Sequence, residues 1–250
     1  MEDDKKPGSA TVRLNKFLSM TGICSRRKAD DLIFAGSVTV NGKIEKSPGY
    51  QIGPRDKVSV NGKSVYLSNI KVYIALNKPP QLVTTRHDPQ GRNTVFDCLP
   101  NFLKEKNIFP IGRLDYFSEG LLLFTNDGEL ANRLMHPRYE HEKIYEVKIR
   151  GKVEKSKMDK FASGIVLPDG TKFLPIEIIR ENYNEQDTTL TLKLREGKNR
   201  EIRKICESLN LTILYLKRIA IANIRLGNLK KGQWRKLGAK EVAALKALIV

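Results

Sequence analysis

The segment GRLDYFSEGLLLFT, residues 112–125, decides the fold of the larger part of this chain. Residues 121–125 form a continuous apolar run, which predicts a buried strand, and an earlier strand is expected to end near Ile111. Asp115 is therefore expected in a loop between two buried strands. Catalytic residues concentrate in loops that a rigid sheet holds in place. The spacing alone fits equally well a carboxylate that only caps or closes the turn.

Apolar patterns on both sides of this segment extend the sheet and add separate helices. Alternation and short apolar runs predict strands at residues 72–76, 144–149, 190–194, 212–216 and 219–226. Helical spacing predicts helices at residues 129–135, from Asn199 onward, and at residues 239–248. Asp127 is the expected N-cap of the first of these helices. Mostly antiparallel strands combined with separate helices indicate the α+β class.

The first 66 residues predict a small separate domain. Residues 1–11 lack periodicity and are predicted to be a disordered leader. Two helices should follow, the second capped by Ser25, and then two hairpins whose turns are Asn-Gly pairs. The expected organisation is a helix–helix–hairpin domain at residues 12–66, a linker at 67–71 and a second domain at 72–250.

Three cations, Arg26, Arg27 and Lys28, directly follow Ser25 and so occupy the first turn of the second predicted helix. Cations in that position oppose the helix dipole, at a cost of roughly 0.3–1 kcal/mol each. A phosphate at the helix start would reverse this penalty, because the backbone N–H groups and the dipole already favour an anion. The pattern favours a nucleic-acid contact over the alternative of a solvated helix start.

The chain is strongly basic, with 45 Lys and Arg against 28 Asp and Glu and a formal net charge of +17. Cations are concentrated between Lys193 and Lys236, which indicates an electrostatic surface for a polyanion. The alternative for this segment is a basic surface that serves only solubility.

Neither a metal site nor a membrane segment is expected. The three cysteines lack C-x-x-C spacing and make no ligand pattern with the three histidines, which is typical of reduced thiols. No apolar run approaches the roughly 20 residues that span a bilayer, and the N-terminus carries no secretory or transit signal. We therefore expect a cytoplasmic protein with no membrane partner.

Three ordered motifs resemble those of ribosomal-RNA pseudouridine synthases. The motifs are GRLD at residues 112–115 with the apolar run after it, Lys143-x-Tyr145, and EGKNREIR at residues 196–203. Residues 12–66, with RLNKFL at 13–18 and CSRRKAD at 24–30, resemble the S4-type RNA-binding domain. The run GELANRLMHP at residues 128–137 is most similar to members that act on large-subunit ribosomal RNA.

The resemblance implies an isomerase that cuts the bond between ribose and uracil, turns the base and rejoins it through carbon 5. It implies that Asp115 is the catalytic carboxylate, that Tyr145 stacks on the flipped uracil, and that Arg203 is the partner of Asp115. RNA contacts are expected from Arg26, Arg27, Lys28, Arg113, Lys198, Arg200 and Lys204. The reaction involves no redox change, phosphate transfer or net hydrolysis, so no cofactor is expected, and the protein should be a monomer.

The sequence lacks the motifs of two other enzyme classes. A zinc deaminase needs H-x-E and P-C-x-x-C, and a dinucleotide-binding enzyme needs G-x-G-x-x-G, but the sequence has none of these motifs. Two alternatives stay open: a non-catalytic RNA-binding or ribosome-assembly factor, and a synthase acting on small-subunit ribosomal RNA. The combination of Asp115, Tyr145 and Arg203 argues for an enzyme, because a pure binder has no reason to keep an acidic residue facing a polyanion.

Overall fold

The computed structural model describes residues 11–67 and 70–248. Residues 1–10 of the predicted leader, residues 68–69 of the predicted linker and the last two residues lie outside this range. The chain divides into two compact units, residues 1–71 and residues 72–250. No helix among the described residues is long and apolar enough to cross a membrane.

The N-terminal unit consists of two helices and short antiparallel strands. Its helices are α1 (Leu14–Thr21) and α2 (Arg26–Phe34). Its strands are β1 (Val12–Arg13), β2 (Val38–Val40), β3 (Lys43–Ile44), β4 (Gln51–Ile52), β5 (Val58–Val60) and β6 (Lys63–Val65). The main sheet has the order β3-β2-β5-β6, and β1 pairs with β4. Asn41 and Asn61 adopt positive φ angles of 52° and 49° at the tips of the two predicted hairpins, as such tight turns require.

The apolar faces of α1 and α2 form the core of this unit with the sheet. Leu14 and Leu18 of α1 and Ala29 and Ile33 of α2 are fully buried. The predicted cap of α2 is confirmed, because the Ser25 hydroxyl accepts a hydrogen bond from the Lys28 backbone N–H at 3.2 Å. Burial of both helical stripes in one core fixes the direction in which the start of α2 points within this unit.

The C-terminal unit is built on a nine-stranded sheet. The strands of this unit, of which β11 and β12 lie outside the large sheet, are β7 (Tyr73–Lys78), β8 (Phe109–Ile111), β9 (Glu119–Thr125), β10 (Lys143–Arg150), β11 (Ile165–Val166), β12 (Lys172–Phe173), β13 (Glu177–Tyr183), β14 (Asp187–Leu194), β15 (Ile213–Ile221), β16 (Ile224–Arg225) and β17 (Trp234–Lys236). Its α-helices are α3 (Asn101–Lys104), α4 (Gly128–Met135), α5 (Lys155–Ser163), α6 (Glu201–Ser208) and α7 (Ala239–Ala247). Two 3₁₀ turns cover Val95–Cys98 and Pro137–Tyr139.

The strand order of the large sheet is β13-β14-β10-β15-β9-β7-β17, with β16 beside β15 and β8 beside β9. Strands β11 and β12 form a separate pair. The described pairings in the large sheet are antiparallel except that of β15 with β9, where Lys217 lies opposite Glu119 and Arg218 opposite Gly120. The α+β class with a mostly antiparallel sheet is therefore confirmed. The parallel pair brings the chain after Asp115 next to the third strand from the C-terminal end.

Helices cover the sheet and bury its apolar residues. Ile202, Ile205 and Cys206 of α6 pack against β10 and β14, as their helical spacing predicts. Helices α4 and α7 contribute Leu130, Leu134 and Leu245 to a second cluster, which includes Leu121 and Leu123 of β9. All seven residues of β9 are buried, so the predicted buried strand is confirmed.

Three boundaries differ from the sequence prediction. Strand β7 continues through Lys78, two residues beyond the strand predicted at residues 72–76. The two strands expected at residues 212–216 and 219–226 are one strand through Arg218, followed by the short β16. Helix α6 begins at Glu201 rather than Asn199, because Arg200 adopts a left-handed conformation with φ 53°. The first two differences arise at buried cations, Lys78 in β7 and Arg218 in β15.

Candidate active site

Asp115 lies in the loop that connects β8 to β9, as the sequence predicts. Glycines on both sides of it have positive φ angles, 74° at Gly112 and 100° at Gly120. Gly120 has a second constraint, since a Cβ atom there would lie 2.3 Å from the Arg218 carbonyl oxygen. No side chain fits that gap, so the loop can close tightly against β15 only with glycine at this position.

Lys78 supports the Asp115 loop from within the protein. Its side chain is fully buried, and its ammonium lies 3.0, 3.2, 3.4 and 2.8 Å from the carbonyl oxygens of Pro79, Asp115, Tyr116 and Ser118. Burial lowers the pKa of Lys78 to about 8, and the nearby Asp115 opposes this shift. Lys78 is not among the site residues predicted from the sequence, although the apolar run that leads directly into it is a signal of burial.

Two further residues, Thr84 and Gln81, hold the same loop through three hydrogen bonds. The Thr84 hydroxyl donates to the Leu114 carbonyl at 2.8 Å and accepts from the Leu114 N–H at 3.3 Å. The Gln81 N–H donates to the Tyr116 carbonyl at 2.6 Å. The backbone on both sides of Asp115 is therefore fixed, which is how a site keeps a reactive group in one geometry.

Arg203 of α6 reaches the carboxylate of Asp115. Its Nε lies 3.6 Å from Asp115 Oδ2, and its Nη2 donates to the Ser118 hydroxyl at 3.1 Å. The side chain of Asp115 is 32% exposed and that of Arg203 is 16% exposed, so the ion pair is partly shielded from water. The contact is a single ion pair and not the parallel bidentate pairing that an arginine can make with a carboxylate. The carboxylate keeps room for another partner.

Tyr145 of β10 lies beside the same site. Its ring packs against residues of two hydrophobic clusters, one formed with β14 and α6 and the other with β7 and β9. Its hydroxyl lies 3.4 Å from Nη1 of Arg218, a residue that the sequence analysis did not select. Tyr145 and Asp115 line one cavity of about 370 Å³, a size within the roughly 300–1,000 Å³ of small-molecule sites.

Several of the predicted RNA-binding cations line this cavity as well. They are Arg113, Lys198 and Arg200. The Lys198 ammonium is also held by the protein, 2.8 Å from a Glu196 carboxylate oxygen and 2.5 Å from the Lys172 carbonyl. Lys204 lies on α6 outside the lining of the cavity. The structure thus brings Asp115, Tyr145 and Arg203 together with three of the four cations expected in this unit.

The remaining predicted cations belong to the N-terminal unit. Arg26, Arg27 and Lys28 are exposed, and the first turn of α2 contains no acidic residue. Lys28 makes an ion pair of 3.7 Å with Asp31, in which both side chains are about two-thirds exposed. Such an exposed pair contributes little, so an incoming phosphate could compete for the cation.

Two neighbouring carboxyl groups also border the cavity, the buried Glu201 and the half-buried Glu196. Glu201 is 4% exposed, and its Oε2 accepts from the Lys198 N–H at 3.1 Å. Burial and the neighbouring Glu196 raise the pKa of Glu201 to about 8. Burial lowers the pKa of Lys143, as does Arg218, while Glu201 opposes that change. Glu201 is not among the site residues predicted from the sequence, since a glutamate at a helix start is usually exposed.

A larger cavity of about 1670 Å³ follows the edge strand β13 and helix α5. Its lining mixes acidic, basic and apolar residues and does not include Asp115, Tyr145 or Arg203. Size alone therefore does not identify the reactive site, and the fixed loop at Asp115 is the better candidate. Among residues 11–67 and 70–248, no cluster of three His, Cys, Asp or Glu could hold a metal ion.

Comparison with known families gives matches in both units. Residues 72–208 match a family described as RNA pseudouridylate synthase, and residues 12–58 match the S4 domain. A crystal structure of a pseudouridylate synthase has a TM-score of 0.67 and 27% identity, and the match covers 94% of this chain and 99% of that chain.

Curated relatives cover nearly the whole chain. A protein of Aquifex aeolicus (strain VF5), named as an uncharacterized RNA pseudouridine synthase, is 43% identical over 237 residues, or 94% of this chain and 93% of the relative. The ribosomal large subunit pseudouridine synthase B of Bacillus subtilis (strain 168) is 39% identical over 237 residues, or 94% of this chain and 96% of the relative. The similarity therefore extends through both units.

Proposed function

This chain belongs to the RNA pseudouridylate synthase family, and from that premise we propose that it converts a uridine of large-subunit ribosomal RNA into pseudouridine. The observation that carries the proposal is the Asp115 carboxylate, which lies on a fixed loop 3.6 Å from Arg203 and lines the same cavity as Tyr145. The name of the Bacillus subtilis relative supports the large-subunit substrate.

Asp115 is the proposed catalytic carboxylate. The reaction detaches uracil from C1′ of the ribose and joins C1′ to C5 of the same base, so a carboxylate can serve as nucleophile or base. The nearby guanidinium of Arg203 stabilises the charged carboxylate in a partly buried position. Three actions of Asp115 fit this position: attack on the sugar, addition to the base, or removal of a proton.

Tyr145 is the proposed stacking partner of the flipped uracil. An enzyme that acts on a base must take it out of the stack, and an aromatic ring replaces part of the lost stacking energy. Tyr145 lines the cavity and is half-buried, and its ring packs against apolar residues of two clusters. Arg113, which follows Gly112 in the same loop, is the proposed residue that fills the gap left by the flipped base.

The proposed partner is RNA, held through phosphates by cations of both units. Arg26, Arg27 and Lys28 serve the S4 domain, and Arg113, Lys198, Arg200 and Lys204 serve the catalytic unit. The cysteines among the described residues are free thiols, which agrees with a reducing compartment. We propose that the protein acts in the cytoplasm as a monomer and needs no cofactor.

The test is a map of pseudouridines in ribosomal RNA from cells with and without this protein. We expect one site in large-subunit RNA to lose its modification, and wild-type protein but not Asp115→Asn should restore it. Asp159→Asn, an exposed aspartate on α5, is the matched control and should restore the site fully. A lost site in small-subunit RNA would correct the substrate, and an unchanged map would leave a non-catalytic RNA-binding role.

A further inference from the structure

Arg218 is a buried arginine in the middle of β15. It is 4% exposed, and it lines the cavity that contains Asp115 and Tyr145. Arg218 lies outside the three sequence motifs that resemble those of the family. The protein thus buries a permanent positive charge beside the proposed site.

The guanidinium of Arg218 connects the strand that follows the Asp115 loop with the strand that carries Tyr145. Its Nε donates to the Leu121 carbonyl of β9 at 2.8 Å, and its Nη1 donates to the Tyr145 hydroxyl of β10 at 3.4 Å. The guanidinium carbon lies 6.0 Å from the centroid of the Tyr145 ring. Arg218 therefore touches the strand that follows the Asp115 loop and the ring on which the base is proposed to stack.

Stability alone does not explain this residue. Among the described residues, Arg218 makes no ion pair with a carboxylate within 4.0 Å, and its buried Nη2 has no hydrogen-bond partner. The cavity holds a second cation close by, since Arg218 lowers the pKa of Lys143. A buried charge without a paired anion destabilises the folded protein. An apolar side chain of similar size would make the protein at least as stable, so stability does not account for an arginine at this position.

We propose that Arg218 is a positioning residue for Tyr145, whose hydroxyl and ring it holds in the orientation that receives the flipped uracil. The charge strengthens the hydrogen bond to the hydroxyl, and the bond to Leu121 fixes the guanidinium relative to β9. Arg218 thereby sets the place of the ring relative to the Asp115 loop. This inference rests on the proposed function of Tyr145 in uridine isomerisation.

The kinetic test separates positioning from a general structural role. Arg218→Gln should lower kcat about 10²-fold, the loss expected from a misplacement of about 1 Å, with little change in KM. Arg218→Lys keeps the charge and should recover part of this loss. In a Tyr145→Phe background, which removes the hydroxyl and keeps the ring, Arg218→Gln should lower kcat less than about threefold. Arg150→Gln, an exposed arginine at the end of β10, is the control.

A second measurement does not depend on activity. With 3-fluorotyrosine at position 145, the fluorine resonance should shift and broaden in Arg218→Gln and return toward wild type in Arg218→Lys. An equal loss of kcat in both Tyr145 backgrounds, or an unchanged resonance, would overturn the inference. If the Gln variant does not fold, the Lys variant is used in the same cycle. The two proposals can fail separately. If wild-type protein does not modify RNA but Arg218→Gln still shifts the fluorine resonance, the proposed function is refuted and the Arg218–Tyr145 contact is not.

Discussion

The ammonium of Lys78 lies 2.8 Å from the carbonyl oxygen of Ser118, three residues beyond Asp115. Three other carbonyl oxygens of the same region lie within 3.4 Å of this ammonium, including that of Asp115 itself. A fully buried lysine therefore holds the loop that carries Asp115. Its contacts are with the backbone, so it controls where the carboxylate lies without touching the carboxylate.

Replacement of Lys78 should lower the reaction rate and leave RNA affinity nearly unchanged. Lys78→Met leaves the carbonyls without a donor, at about 1–3 kcal/mol for buried acceptors, although removal of a buried charge offsets part of that cost. We expect a lower melting temperature and a loss of about 10²-fold in single-turnover rate. RNA affinity should stay within about threefold, because the buried side chain cannot reach RNA. Lys157→Met on α5 is the control, and a rate within threefold of wild type would contradict the supporting role.

The Asp115–Arg203 pair gives a second prediction. Arg203→Met removes the ion partner of Asp115 and the hydrogen bond to Ser118, so turnover should fall more than RNA affinity. Arg203→Lys should recover only part of the rate, because an ammonium cannot serve both partners in the geometry of the guanidinium. A double-mutant cycle with Asp115→Asn, measured on stability and RNA binding, should show coupling. Strict additivity together with a wild-type rate for Arg203→Met would mean that the residues do not interact.

The cations at the start of α2 give a third prediction. Replacement of Arg26, Arg27 and Lys28 by Ala should weaken RNA binding and reduce its salt dependence. Each lost phosphate contact should lower the slope of log affinity against log salt by about 0.7–0.9. Turnover at saturating RNA should change little, since the cluster lies outside the catalytic unit. Lys155→Ala with Lys160→Ala on α5 is the control, and an unchanged slope in the triple variant would mean that the cluster only faces solvent.

Glu201 gives a prediction about stability and pH. Its pKa rises from the usual 4.5 to about 8 in the folded protein. The folded state then binds more protons than the unfolded state between these values, so stability falls as pH rises through this window. Glu201→Gln stays neutral, and its melting temperature should exceed that of wild type by an amount that grows from pH 5 to pH 8.5, on the order of 5 °C.

The control for this measurement is Glu207→Gln, an exposed position on the same helix. Its difference from wild type should not change with pH. Groups far from position 201 are shared by all three proteins and cancel in the comparison, whereas Glu196 interacts directly with Glu201, so its response is part of the measured difference. A Glu201→Gln difference that is the same at both pH values would show that Glu201 is ionised throughout this range in the folded protein.

Local patterns were sufficient to predict most of the fold. The apolar run at residues 121–125, the Asn-Gly turns and the Ser25 and Asp127 caps are all confirmed, because each depends on neighbours in the sequence. The resemblance to the pseudouridine synthase family and to the S4 domain is confirmed as well. The catalytic and RNA-binding roles of the selected residues remain predictions.

The residues that sequence reasoning missed are buried charges. Lys78 lay beyond the end of the strand predicted at residues 72–76, and Arg218 fell in the gap between two predicted strands, since a cation in an apolar run usually marks an exposed position. Both are buried because distant carbonyls become their partners, at Ser118 for Lys78 and at Leu121 for Arg218. Separations of 40 and 97 residues along the chain leave no trace in local spacing.

Because β9 pairs with β15, the proposed site can form only late in the synthesis and folding of the chain. The parallel pair joins Gly120 to Arg218 across a long stretch of intervening chain. Loop-closure entropy makes contacts of such separation slow to form, and they follow the local hairpins and helices. The carboxylate loop and β10 can be synthesised early, but they cannot form a working site until β15 has entered the sheet between them. A nascent chain that is arrested before β15 emerges should therefore carry a folded S4 domain that can bind RNA and a catalytic unit that cannot modify it.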